Sequence, residues 1–137
     1  MKVIYRPWRG GYIGVSLVTR DVIRMIPPLP QSRPATFRTT VHGTVFGERA
    51  THVAEVAPGD ELVLIPDPPM EDDPEVWVHV QGGEPLGHLP PEINAWLAPW
   101  LLRGGQARAT AVRVHGDDVP SWKRLVIEVR CLQADAA

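Results

Sequence analysis

Proline and glycine constrain the fold of this chain more than any other feature. Fifteen prolines and twelve glycines are spread over 137 residues, a length that suits one domain. Proline fixes φ and removes a backbone donor, and glycine favours turns. Long helices therefore have little room. We expect a mostly β protein of about six strands with one or two short helices, arranged as a small barrel or sandwich that a helix closes at one end.

Alternation of apolar and polar residues predicts where the strands lie. The expected strands are residues 36–46, 61–66, 76–80, 85–89, 107–114 and 124–130. Gly43 interrupts the first of these and predicts a bulge or a close backbone approach. Residues 3–18 predict a β-hairpin, and the Pro-rich residues 27–35 predict an irregular connector.

One helix is predicted over residues 91–103, where Pro91 suits the first turn. Pro99 should kink this helix or split it into two pieces. Trp96 and Trp100 are four residues apart, so they share one helical face and should cover the end of the barrel as part of the core.

The stretch Leu86-Gly87-His88-Leu89-Pro90 lies between a predicted strand and this helix. Such a junction can offer free backbone N–H groups beside a titratable imidazole, a combination that suits an anionic or polar ligand. His88 could equally cap the helix or lie in a polar seam. The junction is the first candidate binding site.

Several classes of protein are disfavoured by the motifs that the chain lacks. Its one cysteine, Cys131, cannot form an internal disulfide and lies in an apolar strand pattern, where a thiol is usually inert. The chain has no Walker loop, no Gly-x-Ser-x-Gly elbow and no zinc-binding spacing, so we expect neither an enzyme nor a cofactor nor a metal. No apolar run is long enough for a signal peptide or a membrane span, which favours a cytoplasmic protein without a membrane partner.

Charge is distributed unevenly along the chain. Residues 1–49 contain eight Lys and Arg residues against two acidic ones, whereas residues 50–99 contain ten acidic residues and no Lys or Arg. A basic face could therefore meet an anionic partner although the net charge is −2. Mutual neutralisation of the two regions is the alternative interpretation.

Four motifs, in order, carry a resemblance to a known family. They are Val41-x-Gly43-x-x-Phe46, Pro58-Gly59-Asp60-x-Leu62-x-Leu64, Asp67-Pro68…Asp73 before Val76-Trp77-Val78, and Leu86-Gly87-His88-Leu89-Pro90-x-Glu92. Residues 39–132 thereby resemble the HIRAN domain. We accordingly divide the chain into an N-terminal extension (1–38), a HIRAN-like OB-type barrel (39–133) and a tail (134–137).

The resemblance implies an OB-like β-barrel that binds single-stranded DNA, with a pocket for the 3′-hydroxyl end. It places the stacking aromatic of the family at Phe46. The aspartate that accepts the terminal hydroxyl corresponds to Asp73, and the histidine near the phosphate corresponds to His88, with Gly87 beside it. These four residues are the predicted DNA-binding residues.

Two cationic residues of the family pattern are replaced in this chain. Val45 stands where the family has a clamp arginine, and Pro91 stands where it has a lysine near the phosphate. Hydrogen bonds from charged groups contribute about 1.5–3 kcal/mol each, so this pocket alone should bind more weakly. An arginine elsewhere could compensate, and the candidates are Arg6, Arg9, Arg38 and Arg49.

Structural roles compete with these functional ones. Phe46 could belong to the core, since aromatic residues dominate small cores, and we expect Trp77 to be a core residue for the same reason. Asp73 could be a turn residue. Trp8 and Trp122 lie in polar contexts and are candidates for exposed rings.

A second function remains open at this point. The acidic residues 67–75 and the Pro-rich residues 27–34 could contact a protein partner, with the barrel as a scaffold. A continuous acidic rim around His88 would favour this function over DNA binding. The acidic residues lack the spacing of a calcium site, which favours a solvated loop. The sequence leaves the oligomeric state open.

Overall fold

The computed structural model describes residues 26–30, 32–68 and 72–133. These residues form six antiparallel strands, which are β1 (Thr36–Thr40), β2 (Glu61–Pro66), β3 (Val76–Val80), β4 (Pro85–His88), β5 (Ala107–Val114) and β6 (Leu125–Cys131). They also form the helices α1 (Arg49–Ala54) and α2 (Pro91–Leu102) and a 3-10 turn at Ser121–Lys123. The mostly β fold is therefore confirmed. The predicted hairpin at 3–18, Trp8 and the tail at 134–137 lie outside the described residues.

The two edges of the sheet meet at one point. The strand order is β1-β6-β5-β2-β3-β4, which leaves β1 and β4 at the edges. Beyond β1, the Val41 amide still donates to the Leu125 carbonyl of β6. The next residue, His42, exchanges two backbone hydrogen bonds of 2.8 and 2.9 Å with His88 of β4. This single bridge, which we call the edge bridge, joins the edges of a sheet that is curled into a half-barrel.

The core lies on the inner face of the curled sheet, under α2. Its fully buried sheet residues include Val76, Val78, Leu125, Ile127 and Val129. From α2, Trp100 is completely buried and Trp96 nearly so, as their spacing predicts. The Trp100 indole donates a hydrogen bond of 2.9 Å to the Pro27 carbonyl, which fastens the irregular Pro-rich segment to the helix.

The first strand is shorter than the sequence predicts. It ends at Thr40 instead of residue 46, and the chain then turns into α1, a helix that the local pattern did not predict. Gly43 adopts a φ of 75°, which L side chains rarely take. A Cβ at Gly43 would lie 3.0 Å from Nε2 of His88. The predicted close backbone approach is confirmed, whereas the predicted continuous strand is wrong.

Pro99 does not split α2, which runs without interruption from Pro91 to Leu102. Proline lacks the amide that would donate to the carbonyl of Ala95. Ala95 is exposed, so water can solvate that carbonyl. Burial of Trp96 and Trp100 holds the helix in place across the gap. Neither α2 nor any other helix in the described residues has the length and apolar character needed to cross a membrane.

Candidate nucleic-acid interface

The edge bridge brings two imidazoles together on the outer face of the half-barrel. The ring centroids of His42 and His88 are 6.3 Å apart. His88 Nδ1 lies 3.1 Å from the Leu89 carbonyl oxygen, to which the Nδ1–H tautomer donates, and 3.7 Å from a carboxylate oxygen of Glu75. The ring is therefore held from one side by its own strand end and by the segment that precedes β3.

Gly87 allows the two edges to come this close. A Cβ on Gly87 would overlap the carbonyl oxygen of His42. The amides of His88 and Leu89 donate to the carbonyls of His42 and Val76, at 2.9 and 3.0 Å. The expectation that this junction offers free backbone N–H groups is thus wrong for these two residues, because their amides complete the sheet.

An arginine from α1 stands beside the histidines. Nη1 of Arg49 donates a hydrogen bond of 3.0 Å to the Gly43 carbonyl. Its guanidinium carbon lies 5.7 Å from the centroid of the Phe46 ring and 5.2 Å from that of Trp77, within the range of cation–π attraction. A guanidinium has five N–H donors, and within the described part of the chain one of them is bonded, so the others can meet a ligand. Of the arginines proposed to compensate for Val45, Arg49 lies at the site, whereas Arg6 and Arg9 lie outside the described residues.

Phe46 presents its ring to solvent. Its side chain is 62% exposed, although it is large and apolar. The ring borders a groove of about 420 Å³, which Arg49, His52 and Glu84 also line. The alternative that Phe46 belongs to the core is therefore wrong, and its exposure fits a stacking surface.

Trp77 also faces outward. It is opposite His88 in the register of β3 and β4, and the two rings meet edge to face at 5.4 Å. Its indole donates to one carboxylate oxygen of Asp67 at 2.9 Å, and the other oxygen accepts the Glu75 amide at 3.0 Å. The expectation that Trp77 is core is wrong. The buried valines on either side of it were the available signal, because successive side chains of a strand point to opposite faces.

A second exposed ring lies on the other side of His42. Trp122, in the 3-10 turn, is 48% exposed, as its polar context predicts, and meets His42 edge to face at 6.2 Å. The ammonium of Lys123 lies 5.0 Å from the Trp122 ring centroid. The buried hydroxyl of Thr44 donates to the Ser121 carbonyl at 3.1 Å and ties the turn to the edge bridge.

These side chains form one surface, which we call the bridge cluster. Its members are His42, Phe46, Arg49, Trp77, His88 and Trp122. Two of the four residues predicted to bind DNA belong to it, and Gly87 lies directly beneath.

Asp73, the fourth predicted residue, forms no ion pair with the bridge cluster among the described residues. It is exposed and lines a cavity of about 570 Å³ with Glu75, Pro91 and Asn94 at α2. The carboxylate paired with His88 in the described part of the chain belongs to Glu75. Glu75 therefore joins the cavity of Asp73 to the bridge cluster, and the role of Asp73 stays a prediction.

The described residues contain neither a metal-binding cluster nor a reactive thiol. No group of three His, Cys, Asp or Glu side chains within them is placed to hold a metal ion. Burial raises the pKa of the Cys131 thiol from 9.0 to about 11. The thiol is therefore protonated at neutral pH and is a poor nucleophile.

Comparison with known proteins agrees with this geometry. The model of the HIRAN domain family matches residues 34–131, a span that contains all six strands and both helices. No curated protein and no solved structure matches the chain. HIRAN domains are generally DNA-binding modules. Because the match covers most of its length, the chain belongs to the HIRAN domain family.

Proposed function

We propose that this protein is a non-catalytic module that binds single-stranded DNA at the bridge cluster. The observation that carries the proposal is the Arg49 guanidinium, which contacts the rings of Phe46 and Trp77 next to His88. Proteins that bind single strands combine aromatic rings, on which bases stack, with cations that meet the backbone. The bridge cluster offers both on one exposed surface.

The two exposed rings are assigned to bases and the cations to the backbone. Trp122 meets the His42 ring and Phe46 meets the Arg49 guanidinium, and both aromatic residues are exposed. Every base has a π face, so stacking here should tolerate any sequence. The unused donors of Arg49 and the ammonium of Lys123 suit phosphate oxygens. Arg49 thus takes the part that the family pattern gives to an arginine at Val45.

Preference for the 3′ end is proposed to be weak in this protein. The resemblance implies that the aspartate accepts the terminal hydroxyl, but the carboxylate beside His88 is that of Glu75, and Asp73 lines the adjoining cavity. We therefore expect an oligonucleotide ending in a 3′-hydroxyl and one ending in a 3′-phosphate to bind with similar affinity.

The protein-interaction alternative has less support. Acidic side chains border the cluster, because Glu75 lies beside His88 and Glu84 lines the groove at Phe46. The cations Arg49, within the cluster, and Lys123, at the Trp122 ring, interrupt them and favour an anionic ligand. In the Pro-rich segment, the Pro27 carbonyl is already bonded to Trp100.

Fluorescence anisotropy with a labelled ten-nucleotide dT strand at low salt tests the proposal. Phe46→Ala should weaken binding roughly 5- to 150-fold, because stacking contributes about 1–3 kcal/mol per base. The ring is exposed, so its removal should leave the thermal midpoint unchanged. Arg49→Ala should also weaken binding, whereas the matched control Arg103→Ala, an exposed arginine after α2, should not. Absence of binding by the unmodified protein, or equal affinity of all four proteins, would refute the proposal.

A further inference from the structure

The outer face of β1, β6 and β5 is basic. The exposed side chains on this face include Arg38, Arg108, Arg113 and Arg130. They lie away from the core because the residues between them on each strand point inward. Glu128 is the acidic residue within these three strands. It lies opposite Arg38, and Glu61 of β2 lies opposite Thr110 at the border of this face, whereas Arg108, Arg113 and Arg130 have no acidic partner in the register.

Arg108 and Arg130 are direct cross-strand neighbours. They are paired in the antiparallel register of β5 and β6, and the next residue in the row is the uncharged Thr36 of β1. Side chains at such positions are about 5 Å apart at Cβ, and like charges there repel each other. The ion pairs formed within the described residues involve neither arginine. An anion bound between the two guanidinium groups would remove the repulsion.

A continuous row connects this pair to the bridge cluster. Thr36, Arg38, Thr40 and His42 alternate outward along β1 and its extension, because Val41 is fully buried. At about 3.3 Å per residue, the row places Arg38 about 13 Å and Thr36 about 20 Å from His42. A stacked strand rises about 3.4 Å per nucleotide, so about six nucleotides cover the longer distance.

The N-terminal segment of this chain is a poor occupant for the face. Residues 1–25 contain five Lys and Arg residues against one Asp, so their charge has the same sign as that of the face. Single-stranded DNA bound at the bridge cluster is a better occupant. It is negatively charged, and the row of outward residues continues from the bridge cluster to the basic face.

We propose that Arg108 and Arg130 bind the phosphate backbone of single-stranded DNA about six nucleotides from the bridge cluster. This inference rests on the proposed function, and it assigns the path that the DNA takes beyond the bridge cluster. The bridge cluster holds bases by stacking, and the arginine pair holds phosphates by charge without reading sequence.

The salt dependence of binding for a long and a short strand tests the path. For a twelve-nucleotide dT strand, Arg108→Gln combined with Arg130→Gln should weaken binding. The slope of log K against log salt should become shallower by about 0.7 for each phosphate that is no longer neutralised, or about 1.4 for the pair. A dT trinucleotide confined to the bridge cluster should bind the double variant and the unmodified protein equally. Arg103→Gln removes one charge outside the face and is the control for loss of an arginine as such, so its salt slope should equal that of the unmodified protein.

Two further measurements separate the possible failures. Arg130→Glu places opposite charges at the paired positions, so the thermal midpoint should stay equal or rise while binding of the long strand falls. A double variant with the same salt slope as the Arg103→Gln protein overturns the inference. If Phe46→Ala still weakens binding in that case, the proposed function stands without it. If the unmodified protein binds neither strand at low salt, both proposals fail.

Discussion

Among single residues, two glycines set the geometry of the bridge cluster. The His88 ring lies against Gly43, and the His42 carbonyl lies against Gly87. Gly87 leaves no room for a Cβ, and at Gly43 the His88 ring would have to shift to admit one. The motif pattern singled out both glycines, but it gave no sign that they face each other's strands across the edge bridge.

Substitution of Gly87 tests this close approach. Gly87→Ala should lower the free energy of unfolding by about 1–3 kcal/mol or more, because the new Cβ must push the His42 carbonyl away. Gly83→Ala is the control, since its Cβ would meet Val80 at an ordinary 3.9 Å and should change stability by less than about 0.5 kcal/mol. Urea denaturation measures both. Equal stability of the two variants would contradict the packing described for the edge bridge.

Among the helices and strands, α1 shows how a weak local signal can carry a functional residue. It has six residues and lacks a side-chain cap at Glu48, and isolated helices this short are unstable in water. Burial of Val53 anchors it to the core. Because its stability comes from tertiary packing, local pattern did not predict it, and the position of Arg49 could not be foreseen.

The other helix offers a test of its internal proline. Pro99→Ala restores an amide that can donate to the Ala95 carbonyl, and proline costs about 3 kcal/mol relative to alanine inside a helix. Two effects offset part of this gain in stability. The packed ring of Pro99 is lost, and the unfolded chain becomes more flexible, which favours the unfolded state by about 0.4–1 kcal/mol. We expect the free energy of unfolding to rise by about 1–2 kcal/mol in urea denaturation. Pro91→Ala, at the first turn where no amide is needed, should have little effect. A drop in stability for Pro99→Ala would show that its ring packing outweighs the missing bond.

In the molecule as a whole, the edge bridge is the shortest strand pairing of the curled sheet in the described residues, a single residue pair. β6 lies between two strands, whereas the two sheet edges pair, within the described residues, through His42 and His88. Local openings in proteins range from nearly free to the full cost of unfolding. The edge bridge should therefore open more easily than the sheet interior, and the bridge cluster lies where opening is easiest.

Hydrogen exchange followed by NMR can measure that difference. The amides of His42 and His88 should exchange faster than those of Ile127 and Val129 in β6. Binding of single-stranded DNA at the bridge cluster should slow exchange at the two histidines. Exchange at Ile127 and Val129 should change only as much as the global stability of the protein does. Uniform exchange of all four amides, with or without DNA, would argue against both the weak edge bridge and the location of the binding surface.

Sequence patterns alone were sufficient for most of the local elements and for the family. Alternation and the positions of proline and glycine predicted β2 to β6 and α2 closely, because these patterns act over neighbouring residues. The motif around His88 identified the HIRAN resemblance, which the family match confirms.

Which side chains share a surface depended instead on the tertiary structure. His42 meets His88 because two sheet edges close, and Arg49 reaches Trp77 because α1 packs on the barrel. Asp73 was placed by resemblance alone, and it lines a cavity that adjoins His88 through Glu75. Contacts between residues distant in the chain depend on how the sheet curls. Local sequence patterns do not predict that curvature, because it results from packing between residues far apart in the sequence.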